Sequence, residues 1–135
     1  MNHPFIITFS IAFYVSSITQ LWTEREWTQH IAESIENSRV EVVQFDNTRI
    51  DIESDQYAIE VDWADKWAEG VGQSLYYAKL TGKKPVLLLL TKNDWRDSRV
   101  YVFRALTAMP ELGHVWIYDT ANDRWIKNSM IARDP

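Results

Sequence analysis

The sequence predicts an α/β domain with a mixed central sheet flanked by helices. Two observations carry this. Three short runs, residues 39–45 (RVEVVQF), 48–53 (TRIDIE) and 57–62 (YAIEVD), alternate in polarity and are separated by turn residues. A continuous apolar run at 85–91 (PVLLLLT) lies between two segments of helical period. Alternation marks strands with one face buried, whereas an unbroken apolar run between helices marks a strand buried on both faces.

In chain order, the first helix is expected over 23–37. Trp27, Ile31 and Ile35 recur every four residues, and Thr23 is placed to cap it with Glu26 three residues on. The strand at 39–45 follows. Asp46-Asn47 is turn chemistry, so 48–53 returns as a hairpin. Ser54-Asp55 turns the chain again into the third strand, 57–62. Residues 63–80 read as a long helix ended by Gly82. The buried strand 85–91 comes next, then a helix over 98–109 stopped by Pro110. Gly113 leads into a last strand, 114–118. The order is αβββαβαβ, three meandering strands followed by crossover units.

The 135 residues suit one domain with one core. With no cysteine there is no disulfide framework and no thiolate zinc site. A net charge of -5 argues against a protein that coats nucleic acid non-specifically. It leaves room for a nucleic-acid enzyme whose acidic groups hold metal ions. No GxSxG or glycine-rich phosphate loop is present, and His3, His30 and His114 are scattered. Residues 1–23 carry no Asp, Glu, Lys or Arg, and 5–18 are largely apolar. Residues 1–22 therefore read as an apolar N-terminal segment preceding a domain at 23–135. That segment is too short for a comfortable membrane span and has the size of a secretory h-region. Its n-region lacks Lys and Arg, so a signal peptide, an uncleaved anchor and a segment packed on the domain all stay open. The protein is exported or periplasmic in the first case and otherwise cytoplasmic.

The chemistry-bearing residues cluster in the middle of the chain. Asp51 lies inside the second strand, and Glu60 and Asp62 project from one face of the third. In a meander Asp51 and Glu60 lie side by side, where two carboxylates repel unless exposed or neutralised by a divalent cation. The alternative is a polar outer face alternating with Ile50, Ile52, Ile59 and Val61, with Asp62 as a helix N-cap. On the following helix Lys66, Gly70, Gln73 and Tyr77 fall within about 60° of one another. They border an apolar stripe of Trp63, Trp67, Val71, Ser74, Leu75 and Ala78, where a pocket wall would stand. Gly70 inside a helix costs about 1 kcal/mol against Ala, which a close approach of backbone or ligand would explain.

The run from Arg49 to Leu90, RIDIESDQYAIEVDWADKWAEGVGQSLYYAKLTGKKPVLLLL, resembles the PD-(D/E)XK nuclease superfamily, with its restriction-endonuclease-like αβββαβ core. The resemblance covers roughly the chain after residue 22. Asp51 is similar to the motif Asp on the second core strand, and Glu60 to the acidic member of the (D/E)xK motif on the third. Gln73-Ser-Leu-Tyr-Tyr77 is similar to the QxxxY motif of nucleases related to helicase-associated exonucleases. Glu24, in TEREW, resembles the glutamate that the N-terminal helix supplies. The sequence departs from the pattern at the motif lysine, where Asp62 stands. Lys66, at the head of the helical stripe, is the residue onto which that lysine would have migrated.

The resemblance implies hydrolysis of phosphodiester bonds in nucleic acid, most readily DNA, with Mg²⁺ or Mn²⁺ as cofactor. Asp51 and Glu60 would hold the metal, with Asp62 a further ligand and Glu24 an outer one. Lys66 would position the attacking water, and Gln73 and Tyr77 would orient the site. Arg49, Lys83, Lys84, Lys92, Arg96 and Arg99 are the cations available to substrate. A homodimer through exposed aromatics such as Trp95, Trp116 or Trp125 is an expectation of the same kind. The rival expectation is a member of the fold that has lost activity with its lysine and acts as a binding or regulatory module. A small immunity-like protein, which the acidity would suit, belongs to the same non-catalytic class.

Overall fold

The computed structural model describes residues 21–109 and 114–127. The apolar segment at 1–20, the stop at Pro110 and the turn at Gly113 lie outside the described residues. Among the described residues the elements are helix α1 (Glu24–Ala32), strands β1 (Arg39–Val43), β2 (Arg49–Glu53) and β3 (Tyr57–Trp63), helix α2 (Trp67–Thr81), strand β4 (Lys84–Thr91), helix α3 (Arg99–Ala108), and strands β5 (His114–Asp119) and β6 (Arg124–Ile126). The six strands form one mixed sheet in sequence order. β1, β2 and β3 are antiparallel neighbours, β3, β4 and β5 run parallel, and β6 returns antiparallel on the edge. No described helix is long and apolar enough to cross a membrane.

Helix α1 covers one face of the sheet, where Trp27 and Ile31 pack on Ile52, Ile59, Val61, Val86, Leu88 and Leu90. Helices α2 and α3 cover the other through Leu87, Leu89, Val102 and Ala105. Val86 to Leu90 are all fully buried, as an unbroken apolar run demands of a central parallel strand.

Several bounds differ from those the sequence predicts. The first helix stops at Ala32 rather than 37. Ile31 O accepts both the backbone and the hydroxyl of Ser34, Ser38 Oγ donates to Ala32 O, and Asn37 turns left-handed at φ 54°. These serine hydroxyls compete for the helix's last carbonyls. At its start the Thr23–Glu26 capping box forms as expected. Trp63 belongs to β3, and residues Ala64–Lys66 form a 3-10 turn before α2 begins. A second 3-10 turn, Trp95–Ser98, precedes α3. Strand β6 has no counterpart among the predicted strands, because three residues are too short a run to show alternation. Trp95, expected at an exposed interface, is 1% exposed and belongs to the core. Trp116 and Trp125 are half-buried against the α1-side cluster.

Candidate active site

The turn residues fix the register that creates the site. Asp46 Oδ1 accepts both the backbone N–H and the hydroxyl of Thr48, and Asn47 takes a left-handed φ of 65°. The resulting hairpin pairs Val42 with Ile50 and Val40 with Ile52, so Glu41 lies across from Asp51. Glu41 has a φ of 56°, an uncommon conformation for a non-glycine residue. The strand rotates here. Ile52 packs in the cluster with Trp27, whereas Ile50, two residues earlier, packs with Ala58 and Tyr77 on the α2 side.

The β2–β3 pairing of Ile52 with Ile59 and Glu53 with Ala58 brings Asp51 beside Glu60. Asp51 Oδ2 accepts the Val61 backbone N–H at 2.9 Å, taking the place of a ladder carbonyl. The carboxyls of Asp51 and Glu60 repel each other across this pair. A cavity of about 410 Å³ opens over them, with Arg49, Gln73 and Tyr77 among its walls. The structure thus brings together Asp51, Glu60, Gln73 and Tyr77. Glu60 and Asp62 are 6% and 5% exposed.

Electrostatics mark the cluster. Burial raises the Glu60 carboxyl to about 9, with Asp51, Asp62 and Glu24 adding repulsion. Burial likewise raises Asp51 to about 6, against the opposing Val61 hydrogen bond, and Asp62 to about 7, where Glu24 adds repulsion and Lys66 opposes it. Tyr77, itself buried, is held above the ordinary phenol range by desolvation and then by Glu60 and Asp51. Glu24 reaches the cluster from the first turn of α1, while Glu26 is spent on the capping box. One oxygen each of Glu24, Glu60 and Asp62 is buried with no hydrogen-bond partner.

The helical stripe is divided by the 3-10 turn. Gly70 and Tyr77 are buried rather than bordering the buried face, as is Ser74 between them. A Cβ at Gly70 would lie 2.5 Å from Leu87 Cδ1 and 3.0 Å from Asp62 Oδ2, so the close approach comes from these side chains. Lys66 sits outside the α-helix, its side chain 53% exposed, with Nζ 4.0 Å from Asp62 Oδ1. It does not line the Asp51–Glu60 cavity. Arg49 is held by Glu41 at 2.8 Å, and Lys83 by the buried Glu53 at 2.7 Å, a pair that also takes Arg39. Among the described residues no group of three His, Cys, Asp or Glu side chains is arranged to hold a metal ion.

Glu41 is the site residue that sequence reasoning missed. Its signal is arithmetic: counted outward from the Asp46 turn, Glu41 and Asp51 are equidistant. The chain matches no family model, no curated protein and no solved structure.

Proposed function

We propose that this protein is a metal-dependent nuclease of the restriction-endonuclease-like fold, acting on DNA. The observation that carries the reading is the set of buried acids around Asp51 and Glu60, with unpartnered oxygens on Glu24, Glu60 and Asp62. Burying mutually repelling carboxylates destabilises a fold, and groups so perturbed cluster at functional sites. Oxygen donors of this kind fit Mg²⁺ or Mn²⁺. Mg²⁺ in particular takes one or two carboxylates and leaves its other positions to water and phosphate. Asp51 and Glu60 would hold it, with Asp62 and Glu24 beside them. When bound, such an ion lowers the pKa of its water and offsets charge on the scissile phosphate.

The chain's own groups supply the rest. Asp51 is oriented by the Val61 amide, so its carboxylate is fixed before any ligand arrives. Gln73 and Tyr77 offer hydrogen-bond donors from the cavity wall to a phosphate or to the carboxylates. Lys66, through Asp62, brings a positive charge to the rim and can swing toward the water or the phosphate.

Cleavage of a labelled DNA duplex and single strand in Mg²⁺ and in Mn²⁺ tests the proposal. Activity is expected with the metals, none in EDTA, and a loss of at least about 100-fold in Asp51→Ala with the fold intact. Equal activity in EDTA would sink it. The exposure of Lys66 favours one other reading, a binding module of the same fold. That module would show no cleavage in either metal and no divalent site at Asp51 and Glu60.

A further inference from the structure

We infer that the groove beyond the carboxyl ends of β3, β4 and β5 is a stacking subsite for an unpaired base of a single-stranded nucleic acid. The inference rests on the nucleic-acid part of the proposed function and names the form of substrate. Strand β3 ends at Trp63, β4 is followed by Lys92 and Asn93, and β5 by Thr120, and these residues line a cavity of about 480 Å³ with Trp22 and the buried Trp27. That volume is in the range of small-molecule sites.

The floor is rigid. Thr120 donates to Thr91 O from both its N–H, at 3.2 Å, and its hydroxyl, at 2.8 Å, tying the ends of β4 and β5 together. Asn93 holds a φ of 55°, which turns the chain out of the sheet directly after Lys92. Trp22 stands edge-on to Trp27 at 4.8 Å, so the aromatic wall is braced rather than loose.

Charge selects the occupant. Of the cations near the carboxylate site, Arg49 is engaged by Glu41 and Lys66 by Asp62. Lys92 is exposed, and its partner is the Trp63 ring, with Nζ 4.8 Å from the centroid. The ammonium lies over the face where a base would stack. A base arriving on Trp63 takes that place and releases Lys92 to a phosphate of the same strand. Stacking platforms combined with a cation that tracks the backbone are how single strands are held without sequence preference. Thr23, in the groove wall, caps the helix whose first turn carries Glu24; Asp62, although next to Trp63 in β3, faces the opposite side of the sheet.

Fluorescence anisotropy in EDTA, with the full chain, separates stacking from charge. The probes are a labelled 12-mer of deoxythymidine, the same length of abasic sugar-phosphate, and a 12-bp duplex. Wild type is expected to bind the thymidine strand at least about 5-fold more tightly than the abasic strand or the duplex. Trp63→Leu should erase that preference and Trp63→Phe restore it. Lys92→Ala should weaken both single strands alike and lower the salt slope by about 1. Equal binding of thymidine and abasic strands by wild type overturns the inference even if Trp63→Leu does not fold, as does a preference that survives in a folded Trp63→Leu. Both results leave the nuclease reading untouched, because Mg²⁺-dependent cleavage is measured separately. Stacking without cleavage upholds the groove and removes the nuclease.

Discussion

Replacing Glu60 with glutamine should make the protein more stable at neutral pH while removing its proposed activity. In the folded chain Glu60 is desolvated and faces Asp51, Asp62 and Glu24, and its carboxyl is raised from 4.5 to about 9. A carboxyl whose folded pKa lies above its unfolded one contributes stability in acid, fully present below about 4.5 and lost as pH rises toward 9. At pH 7 the unfolded chain has released this proton and the folded chain retains it. Over the interval from 4.5 to 7, at about 1.4 kcal/mol per pH unit, the folded state loses about 3 kcal/mol. Glutamine matches the shape and neutrality of the protonated acid and has no proton to release on unfolding. For a domain of this size the gain is about 10 °C in Tm. The assay is thermal unfolding of wild type and Glu60→Gln in EDTA at pH 7 and at pH 4.5, where the two melts should converge. Comparing the two chains at each pH cancels carboxylates such as Glu26 and Asp46, whose pKa values hydrogen bonds lower. A variant no more stable than wild type at pH 7 would refute the claim that Glu60 is buried at a cost, whatever metal binding shows.

Lys66→Ala should lower kcat in Mg²⁺ by at least about 10-fold and leave the melting temperature within a few degrees, because a half-exposed ion pair at 4.0 Å contributes about 0–1 kcal/mol to stability; undiminished cleavage would remove Lys66 from the mechanism. Gly70→Ala gains about 1 kcal/mol of helix propensity but drives a methyl into the fully buried Leu87 and against Asp62, an overpacking that costs about 1–3 kcal/mol, so denaturant unfolding should show a net loss of up to about 2 kcal/mol. A stabilised Gly70→Ala would mean that Leu87 yields freely. Thr23→Ala breaks the capping box and should cost about 1 kcal/mol in the same assay; because α1 carries Glu24, it should also weaken divalent binding followed by calorimetry.

Among the described residues, the sequence by itself determined the sheet and most of its contents. The unbroken apolar run at 85–91 can only be satisfied with helices on both faces; the alternation of YAIEVD puts Glu60 and Asp62 on one face, and the meander sets Asp51 beside Glu60. Gly82 and the Thr23–Glu26 box marked helix ends because caps are local chemistry. Tertiary structure decided what periodicity cannot encode. The 3-10 turn at Ala64–Lys66 shifted Lys66 off the helix, so a stripe drawn at 3.6 residues per turn overstated its approach to Glu60. The rotation of β2 at Asp51, opposite the left-handed Glu41, sends Ile50 and Ile52 to different faces and opens the cavity. Burial of Trp95 follows from where α3 packs, which no count along the chain reveals. The acids themselves can be read from composition and spacing. Their cost depends on how little water reaches them and how near they stand to one another, and these are properties of the folded chain alone.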